Sequence, residues 1–270
     1  MENQSVQGAS ANRVKLWRKL SMGKYREREG LFLAEGVRCA EQILENRKVE
    51  VVELILSEEA ATRVLPGLQD SAGAGTELIA WSVPPETFEE LADTTTPQGV
   101  MAVCRIPDAA DPEELASSGG LLLACDAIQD PGNLGTILRS AAWFGVSGLL
   151  IGKGSSDPWS PKVVRSTAGA TGAVPLWRGE LESLLPEMER LGRQIALLDG
   201  GEGARELRTV SPKSCDLVVA GNEGDGIRPV LMERGWKRVR IGGSSDGGES
   251  VESLNVAVAT GIALHHFCRS

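Results

Sequence analysis

Apolar and polar residues form alternating blocks along the chain, and the blocks predict an α/β protein. In the second half, short apolar runs predict buried strands at residues 121–125, 148–151, 195–198, 217–220 and 238–241. One helix is predicted over about 133–144, and a closing helix over roughly 252–267 has Leu254, Val258 and Ile262 on one stripe. Strands separated by helix-length segments favour a mostly parallel sheet covered on both faces.

The first part of the chain has a smaller α/β pattern of its own. Residues 30–36 predict a strand that leads into a helix over 37–45, and the apolar run 51–56 predicts another strand. Residues 106–120 are rich in Pro, Asp, Ser and Gly and lack a continuous apolar face, which is typical of a linker. We therefore predict an N-terminal domain over 1–106, a linker over 107–119 and a C-terminal domain over 120–270.

Composition excludes several classes of protein. The chain has 270 residues, of which 41% are hydrophobic, and no apolar run approaches the length of about 18 residues that a membrane span needs. The N-terminus lacks the apolar core of a signal peptide, so we expect a cytoplasmic protein with no membrane partner. Five scattered cysteines without C-x-x-C spacing argue against a zinc site or a disulfide framework, and no metal is expected.

The formal net charge of −9 argues against a nucleic-acid partner, but the charge is unevenly distributed. Residues 11–30 contain seven basic residues and only two acidic ones. Because phosphate neutralisation dominates nucleic-acid affinity, we predict that this basic arm binds RNA. The candidate RNA-binding residues are Arg13, Lys15, Lys24, Arg26, Arg28 and Arg38. The alternative interpretation of such a run is a solvated helix surface.

Common catalytic motifs are missing from the sequence. The only histidines, His265 and His266, are adjacent near the C-terminus, so a histidine triad or metal cluster is not expected. No stretch matches the phosphate loop G-x-x-x-x-G-K-[ST], and G-x-G-x-x-G does not follow the strand at 121–125. Kinase, NTPase and dehydrogenase functions therefore lose their main support.

Three polar segments follow predicted strands, at the ends where open α/β sheets bind ligands. In the first, residues 130–139, helical side chains lean toward the N-terminus, so Gly135 leaves Arg139 an open path back to the loop. The second, residues 217–227, places Glu223 among glycines that let a ligand approach the backbone. An exposed helical arginine with a capping asparagine, or a simple glycine turn, would explain either segment taken alone.

The third segment, residues 241–256, predicts a strand, a long glycine-rich loop and the start of a helix. Ser253 and Asn255 lie in the predicted first turn, where backbone amides favour anionic groups.

Together these segments resemble, in the same order, the three motifs of the SpoU/TrmH RNA 2′-O-ribose methyltransferases of the SPOUT superfamily. The matching residues are Asn133-x-Gly135-x-x-x-Arg139, Gly221-Asn-Glu-Gly224 and Glu252-Ser-Leu-Asn-Val256. Residues 12–16, 24–38 and 96–103 resemble the N-terminal substrate-binding domain of the same family. The resemblance covers nearly the whole chain.

The resemblance implies a mostly parallel C-terminal sheet with a deep trefoil knot that binds S-adenosyl-L-methionine. It also implies a smaller N-terminal α/β RNA-binding domain similar to a ribosomal protein, and a homodimer formed through the C-terminal domain. The implied activity is S-adenosylmethionine-dependent 2′-O-methylation of a ribose in structured RNA, with large-subunit ribosomal RNA favoured. The alternatives are a transfer RNA 2′-O-methyltransferase and a catalytically inactive RNA-binding paralogue.

Functional residues carried over from the family fall into two groups. The resemblance assigns cofactor binding to Asp199, Gly200, Gly221, Asn222, Gly224, Ile241 and Leu254. It assigns methyl transfer to Asn133, Arg139, Glu223, Ser253 and Asn255.

Two expectations for this chain differ from the usual description of the family, namely the role of Arg139 and the sequence after Ile241. The family is commonly described as using the motif-one arginine as a base, but arginine side chains keep their proton in proteins because their pKa lies above about 12. We therefore interpret Arg139 as a bidentate phosphate clamp that also stabilises the developing alkoxide, with Glu223 or water accepting the proton. The family usually has a proline after the position of Ile241 and a shorter loop, whereas this chain has Gly242 and a longer glycine-rich loop over 242–250.

Overall fold

The computed structural model describes residues 6–243 and 253–268. These residues pack as two compact units. The first consists of residues 6–107 and 157–173, and the second of residues 108–156, 174–243 and 253–268. Residues 157–173, which lie inside the predicted C-terminal domain, thus pack with the N-terminal part of the chain.

The strands and helices alternate through most of the chain. The strands are β1 (Gln7–Gly8), β2 (Leu31–Glu35), β3 (Val51–Ser57), β4 (Ala80–Val83), β5 (Val100–Arg105), β6 (Leu122–Cys125), β7 (Gly148–Gly152), β8 (Leu176–Gly179), β9 (Ile195–Leu198), β10 (Arg205–Glu206), β11 (Leu217–Ala220) and β12 (Lys237–Arg240). The helices are α1 (Ala11–Lys19), α2 (Gly23–Glu29), α3 (Val37–Asn46), α4 (Glu58–Ala72), α5 (Pro85–Leu91), α6 (Pro112–Ser117), α7 (Pro131–Trp143), α8 (Pro161–Ser166), α9 (Leu181–Arg190), α10 (Pro229–Met232) and α11 (Val256–Phe267). Helix α6 lies inside the predicted linker.

The first unit is built on a five-stranded mixed sheet in the order β1-β4-β3-β5-β2. Successive residues of β3 face opposite sides, so Leu54 and Leu56 pack into one apolar cluster and Ile55 into another. Residues 157–173 complete the first cluster, because Trp159 packs on Phe32 with ring centroids 5.2 Å apart. This segment is therefore part of the core of the first unit.

The second unit contains a parallel sheet of seven strands in the order β10-β12-β9-β11-β6-β7-β8. The predicted mostly parallel sheet is thus confirmed. The central strands β6 and β11 are fully buried, as expected for a sheet with helices on both faces. Because β12, β9, β11 and β6 are neighbours, the loops that follow their carboxyl ends gather at one edge of the sheet.

Helix α11 begins later than the sequence predicts. It starts at Val256 with Asn255 as its N-cap, because the Asn255 side chain satisfies the first free amides of the helix. The predicted stripe of Leu254, Val258 and Ile262 faces solvent, with 47%, 52% and 40% of each residue exposed. The buried face of the helix carries Ala257, Thr260, Ala263, Leu264 and Phe267. None of the helices described here is long and apolar enough to cross a membrane.

Candidate active site

The first loop of the site joins β6 to α7. Asp130 caps the helix, since its Oδ1 accepts a hydrogen bond of 2.8 Å from the amide of Asn133, and Pro131 occupies the first helical position. The cap is thus Asp130 and not Asn133, which leaves the Asn133 side chain available for other partners. Ala127 in the same loop has a positive φ of 55°, a conformation that is uncommon for a residue other than glycine.

The second loop follows β11 and is a closed turn. The amide of Asn222 donates to Gly226 O at 2.8 Å, and the amide of Gly226 donates to Asn222 O at 3.1 Å. A Cβ atom on Gly221 would lie 2.4 Å from the carbonyl carbon of Gly226, so only glycine fits there. The Asn222 side chain donates to Ala127 O at 2.8 Å and accepts from the amide of Gly224 at 2.8 Å. Asn222 therefore ties the second loop to the first.

The polar side chains of the three motifs meet at Asn133. Its Nδ2 donates to Glu223 Oε1 at 2.9 Å, and its Oδ1 accepts from Asn255 Nδ2 at 2.9 Å. The Asn255 Oδ1 accepts in turn from the amides of Ala257 and Val258, at 2.9 and 3.3 Å. The Asn133 amide group thus joins two residues that lie 90 and 122 positions away from it in the sequence. We call Glu223, Asn133 and Asn255 the amide bridge.

Two further predicted residues are exposed beside these elements. Arg139 lies on the exposed side of α7 and makes no hydrogen bond or ion pair with any residue in the ranges 6–243 and 253–268. Ser253 is exposed two residues before Asn255, the N-cap of α11. A guanidinium with all of its donors unused can bind an anionic ligand from solution.

The residues predicted to bind the cofactor lie along the edge formed by β9, β11 and β12. Asp199 follows β9, and its amide donates to Val239 O at 2.9 Å, which places it beside β12. The Asp199 carboxylate forms an ion pair with Arg238 and accepts from the amide of Gly201 at 3.1 Å. A Cβ atom on Gly200 would meet nothing within 4 Å. The edge is therefore open at Gly200, while Asp199 is already paired.

The structure gives a physical reason for glycine at position 242. A Cβ atom there would lie 2.5 Å from both carboxylate oxygens of Glu206. This carboxylate is held by Arg240 at 2.8 Å and by Arg208 at 3.7 Å. The Glu206 carboxylate thus fills the space that the family's usual proline would need. Most of the long loop, residues 244–252, lies outside the described residues, and so does Glu252 of the third motif.

Comparison with known proteins decides the family. Residues 120–265 match the SpoU rRNA Methylase family, and residues 11–102 match the MRM3-like substrate binding domain. The chain belongs to the SpoU rRNA methylase family. This SpoU methylase is 32% identical over 261 residues to the 23S rRNA (guanosine(2553)-2′-O)-methyltransferase RlmP of Bacillus subtilis, covering 97% of this chain and 98% of the relative.

Solved structures agree with this family. An RNA methyltransferase of the TrmH family from Porphyromonas gingivalis is 33% identical to this SpoU methylase, with a TM-score of 0.78 and coverage of 96% of this chain and 98% of that one. An AdoMet-bound rRNA methyltransferase from Sinorhizobium meliloti is 27% identical, with a TM-score of 0.79 and coverage of 98% and 97%. The family and the fold class predicted from the motifs are confirmed.

Two serines that sequence analysis does not identify hold the first loop of this SpoU methylase. Ser155 Oγ accepts from the amide of Ile128 at 3.0 Å and donates to Cys125 O at 3.3 Å. The amide of Ser156 donates to Ile128 O at 2.8 Å, and its Oγ donates to Gln129 O. These bonds brace the loop around the strained Ala127. A pair of serines after a strand is too common a pattern to reveal this role.

A buried ion pair connects the start of the first loop with the end of the second. Asp126 is fully buried, and its carboxylate accepts from the backbone amide of Arg228 at 2.9 Å and from its Nε at 2.7 Å. The Arg228 Nη2 also donates to Glu182 Oε2 at 3.0 Å. Burial alone would lower the pKa of Arg228, but these two carboxylates raise it above the usual value. No local sequence pattern predicts this pairing.

The cysteines do not supply a nucleophile. Cys39, Cys104, Cys125 and Cys215 are buried free thiols, and Cys268 is half-buried. Burial raises the pKa of Cys125, the one beside the first loop, to about 12, so it is a neutral thiol at physiological pH. In the described ranges, no group of three or more His, Cys, Asp or Glu side chains is arranged to hold a metal ion.

The predicted RNA-binding residues occupy different environments in the first unit. Arg26 is 4% exposed and donates to Asp157, Leu20 O and Ser21 O, so it has a structural role and is not part of the basic surface. Arg13 lies over the Trp81 ring at 4.0 Å and pairs with the buried Glu53. The remaining predicted residues are exposed: Lys15, Lys24, Arg28 and Arg38.

Proposed function

We propose that this SpoU methylase transfers a methyl group from S-adenosylmethionine to a ribose 2′-hydroxyl in ribosomal RNA. The observation that carries this proposal is the amide bridge, which joins the polar residues of all three family motifs into one exposed cluster. The B. subtilis relative and the RlmB protein of Shewanella oneidensis, 31% identical over 242 residues, are both named as 23S rRNA 2′-O-methyltransferases. These two relatives thus favour ribosomal RNA over transfer RNA.

The open sheet edge fits a flat nucleoside. Gly200 and Gly224 lack a side chain and have open space beside them, so a ligand can approach the backbone after β9 and β11. We propose that residues 199–200, 221–224 and 241, with Leu254, hold S-adenosylmethionine there. When bound, this cofactor supplies a methyl group activated by its attachment to a sulfonium.

The amide bridge can receive the proton of the reacting hydroxyl. Because Asn133 Nδ2 occupies Glu223 Oε1, the other carboxylate oxygen is left to accept a hydrogen bond from a ribose 2′-hydroxyl. Asn255 fixes the Asn133 amide from its other side and is itself fixed by the first turn of α11. The Glu223 carboxylate is therefore held in one orientation before RNA arrives, which lowers the entropy cost of the reaction.

Arg139 supplies the positive charge of the site. We propose that its planar guanidinium binds an RNA phosphate next to the reacting ribose and stabilises the negative charge that develops on the 2′-oxygen. Its lack of partners among the described residues supports this role, because no acidic side chain competes with the phosphate. Ser253, beside Asn255, is proposed to add a hydroxyl donor to the same cluster.

We also propose a homodimer formed through the second unit. The exposed apolar side chains of α7 and α11 support it, since Val258 and Ile262 line a cavity of 450 Å³ with Phe144, and Trp143 is 85% exposed nearby in the sequence. The trefoil knot remains a proposal from the family, because the chain segment 244–252 lies outside the described residues. A cytoplasmic location is proposed because ribosomal RNA is the proposed substrate.

Labelled methyl transfer tests the proposed function. The protein is incubated with S-adenosylmethionine carrying an isotopic methyl group and with ribosomal RNA from a strain that lacks this protein. Digestion to nucleosides should recover the label on one 2′-O-methyl ribose, and transfer RNA from the same strain serves as the control substrate. Label on a base, or label in transfer RNA alone, would contradict the proposal.

A further inference from the structure

Three cations surround the one tyrosine of the chain, Tyr25 in α2. Lys19 Nζ lies 5.2 Å from the centre of the Tyr25 ring, Lys24 Nζ lies 4.9 Å away, and the Arg28 Cζ lies 4.8 Å away. The ring is half-exposed, whereas the two lysines and the arginine project from the same short stretch of surface. We call Tyr25, Lys19, Lys24 and Arg28 the tyrosine cluster.

The tyrosine cluster rests on a fixed support. Helix α2 has only seven residues and would not be stable alone. Arg26, the residue after Tyr25, anchors it through bonds of 2.9 and 2.5 Å to Asp157 Oδ2 and two bonds of 2.8 Å to the carbonyls of Leu20 and Ser21. The buried arginine therefore holds the tyrosine at the surface in a defined position.

Apart from the exposed Lys15, the cations of the basic arm that are unpaired or only weakly paired lie in this cluster. Arg13, Arg18 and Arg26 are each paired with an acidic side chain. Lys19 and Lys24 have no ion pair with any residue that the structure describes. Arg28, which is exposed, pairs only with its half-buried neighbour Glu29, and a pair at the surface contributes little. An anionic partner would thus meet two unpaired lysines and a weakly paired arginine around the tyrosine ring.

We propose that Tyr25 is a stacking platform for an unpaired base of the RNA substrate, and that Lys19, Lys24 and Arg28 bind the phosphates on either side of that base. The inference rests on the proposed function, because it takes RNA as the substrate. Proteins that bind single strands combine aromatic rings for the bases with cations for the backbone, and structured RNA is commonly recognised at its unpaired loops. In the free protein the cations lie over the ring, and RNA phosphates replace the ring as their partner.

Binding of two RNA probes tests the tyrosine cluster. The probes are a single-stranded oligoribonucleotide and the duplex of the same sequence, and their dissociation constants are measured by fluorescence anisotropy at several salt concentrations. Tyr25→Leu, which keeps apolar bulk without a ring, should weaken single-strand binding by about 5- to 150-fold, the equivalent of about 1–3 kcal/mol of stacking per base. Tyr25→Phe should bind like the unchanged protein.

The lysine substitutions should change the salt dependence of RNA binding. Lys19→Gln and Lys24→Gln should each lower the slope of log affinity against log salt by about 0.7, whereas Tyr25→Leu should leave that slope unchanged. Lys48→Gln, at an exposed lysine elsewhere in the same unit, is the matched control and should change neither quantity. A Tyr25→Leu protein that binds the single strand normally, or that loses single strand and duplex equally, would overturn the stacking role.

A methyl-transfer assay, combined with the binding measurements, distinguishes failure of the stacking role from failure of the proposed function. If the unchanged protein methylates ribosomal RNA and Tyr25→Leu binds RNA normally, the stacking role alone is wrong. If the protein transfers no methyl group but its RNA binding depends on Tyr25, the stacking role is supported and the proposed function fails.

Discussion

Asn133 in the second unit and Arg26 in the first each bond to several partners, but Asn133 does so at the surface and Arg26 in the interior of its unit. Asn133 joins Glu223 and Asn255 at the surface and leaves both partners with unused hydrogen-bonding capacity. Arg26 uses its guanidinium on partners inside the first unit and is buried. Hydrogen bonds to several partners thus mark a functional site in the second unit and a structural support in the first. The two cases differ because only the partners of Asn133 keep hydrogen-bonding groups that are unused and exposed to solvent.

The largest effect, on the free energy of unfolding, is expected from replacing the buried Arg26. Arg26→Ala breaks a buried ion pair with Asp157 and leaves two backbone carbonyls without a donor, so it should lower the free energy of unfolding by about 3–5 kcal/mol. Arg28→Ala, two residues away but exposed, is the control and should change this energy by less than about 0.5 kcal/mol. Chemical denaturation measures both.

Normal stability of Arg26→Ala would contradict the structural role of Arg26. A normally folded variant with weaker RNA binding and a smaller salt slope would show that Arg26 reaches RNA after all.

The next effect concerns the charge of the site. A lysine at position 139 keeps the charge of Arg139 but loses the planar fork, so Arg139→Lys should slow single-turnover methyl transfer by roughly 10²-fold or more. Raising the pH from 6 to 10 should not restore the rate, because the clamp requires two fixed donors and no loss of a proton. Arg234→Lys, at an exposed arginine of the same unit outside the three loops, should react normally.

Recovery of the normal rate at high pH would contradict the clamp. Lysine has a reference pKa near 10.4 and loses its proton more readily than arginine, so such recovery would indicate that residue 139 acts as a base.

A smaller effect is expected at the brace of the first loop. Ser156→Ala removes the bond from Oγ to Gln129 O, and one hydrogen bond contributes about 0.5–1.5 kcal/mol, so methyl transfer should slow by about 2- to 10-fold. Ser156→Thr keeps the hydroxyl and should restore the rate. Affinity for S-adenosylmethionine should not change, which separates a positioning role from a role in binding.

The matched control for the brace is Ser117→Ala, because the Ser117 hydroxyl bonds only to its own helix. If Ser156→Ala and Ser117→Ala react at the same rate, the serines of the first loop do not position the site.

Periodicity and motif spacing predict the parts of this protein that depend on local sequence. Apolar runs are sufficient for β6, β9 and β11, because each buries its own side chains. Motif spacing identifies Asn133, Glu223 and Asn255, but it does not show that one amide joins them. That contact depends on the strand order β9-β11-β6, which pattern alone does not determine.

Charge counting is a weaker guide, because it does not reveal the partner of a side chain. Arg26 belongs to a basic run, yet its partner Asp157 lies 131 residues away. Residues 157–173 follow β7 in the sequence and still pack in the first unit, since Trp159 completes the apolar cluster around Phe32. Partners that lie so far apart in the sequence cannot be predicted from the local pattern of residues.

We propose that Asn133 acts on methyl transfer by holding Glu223. A double-mutant cycle in single-turnover methyl transfer tests it most directly, with S-adenosylmethionine binding measured for each variant to confirm an intact cofactor site. Glu223→Gln should slow transfer by about 10²-fold and Asn133→Ala by about 10-fold. The double variant should be no slower than Glu223→Gln alone, because Asn133 has no carboxylate left to orient. A double variant slowed by the product of the two single effects would contradict the claim, since the two residues would then act independently.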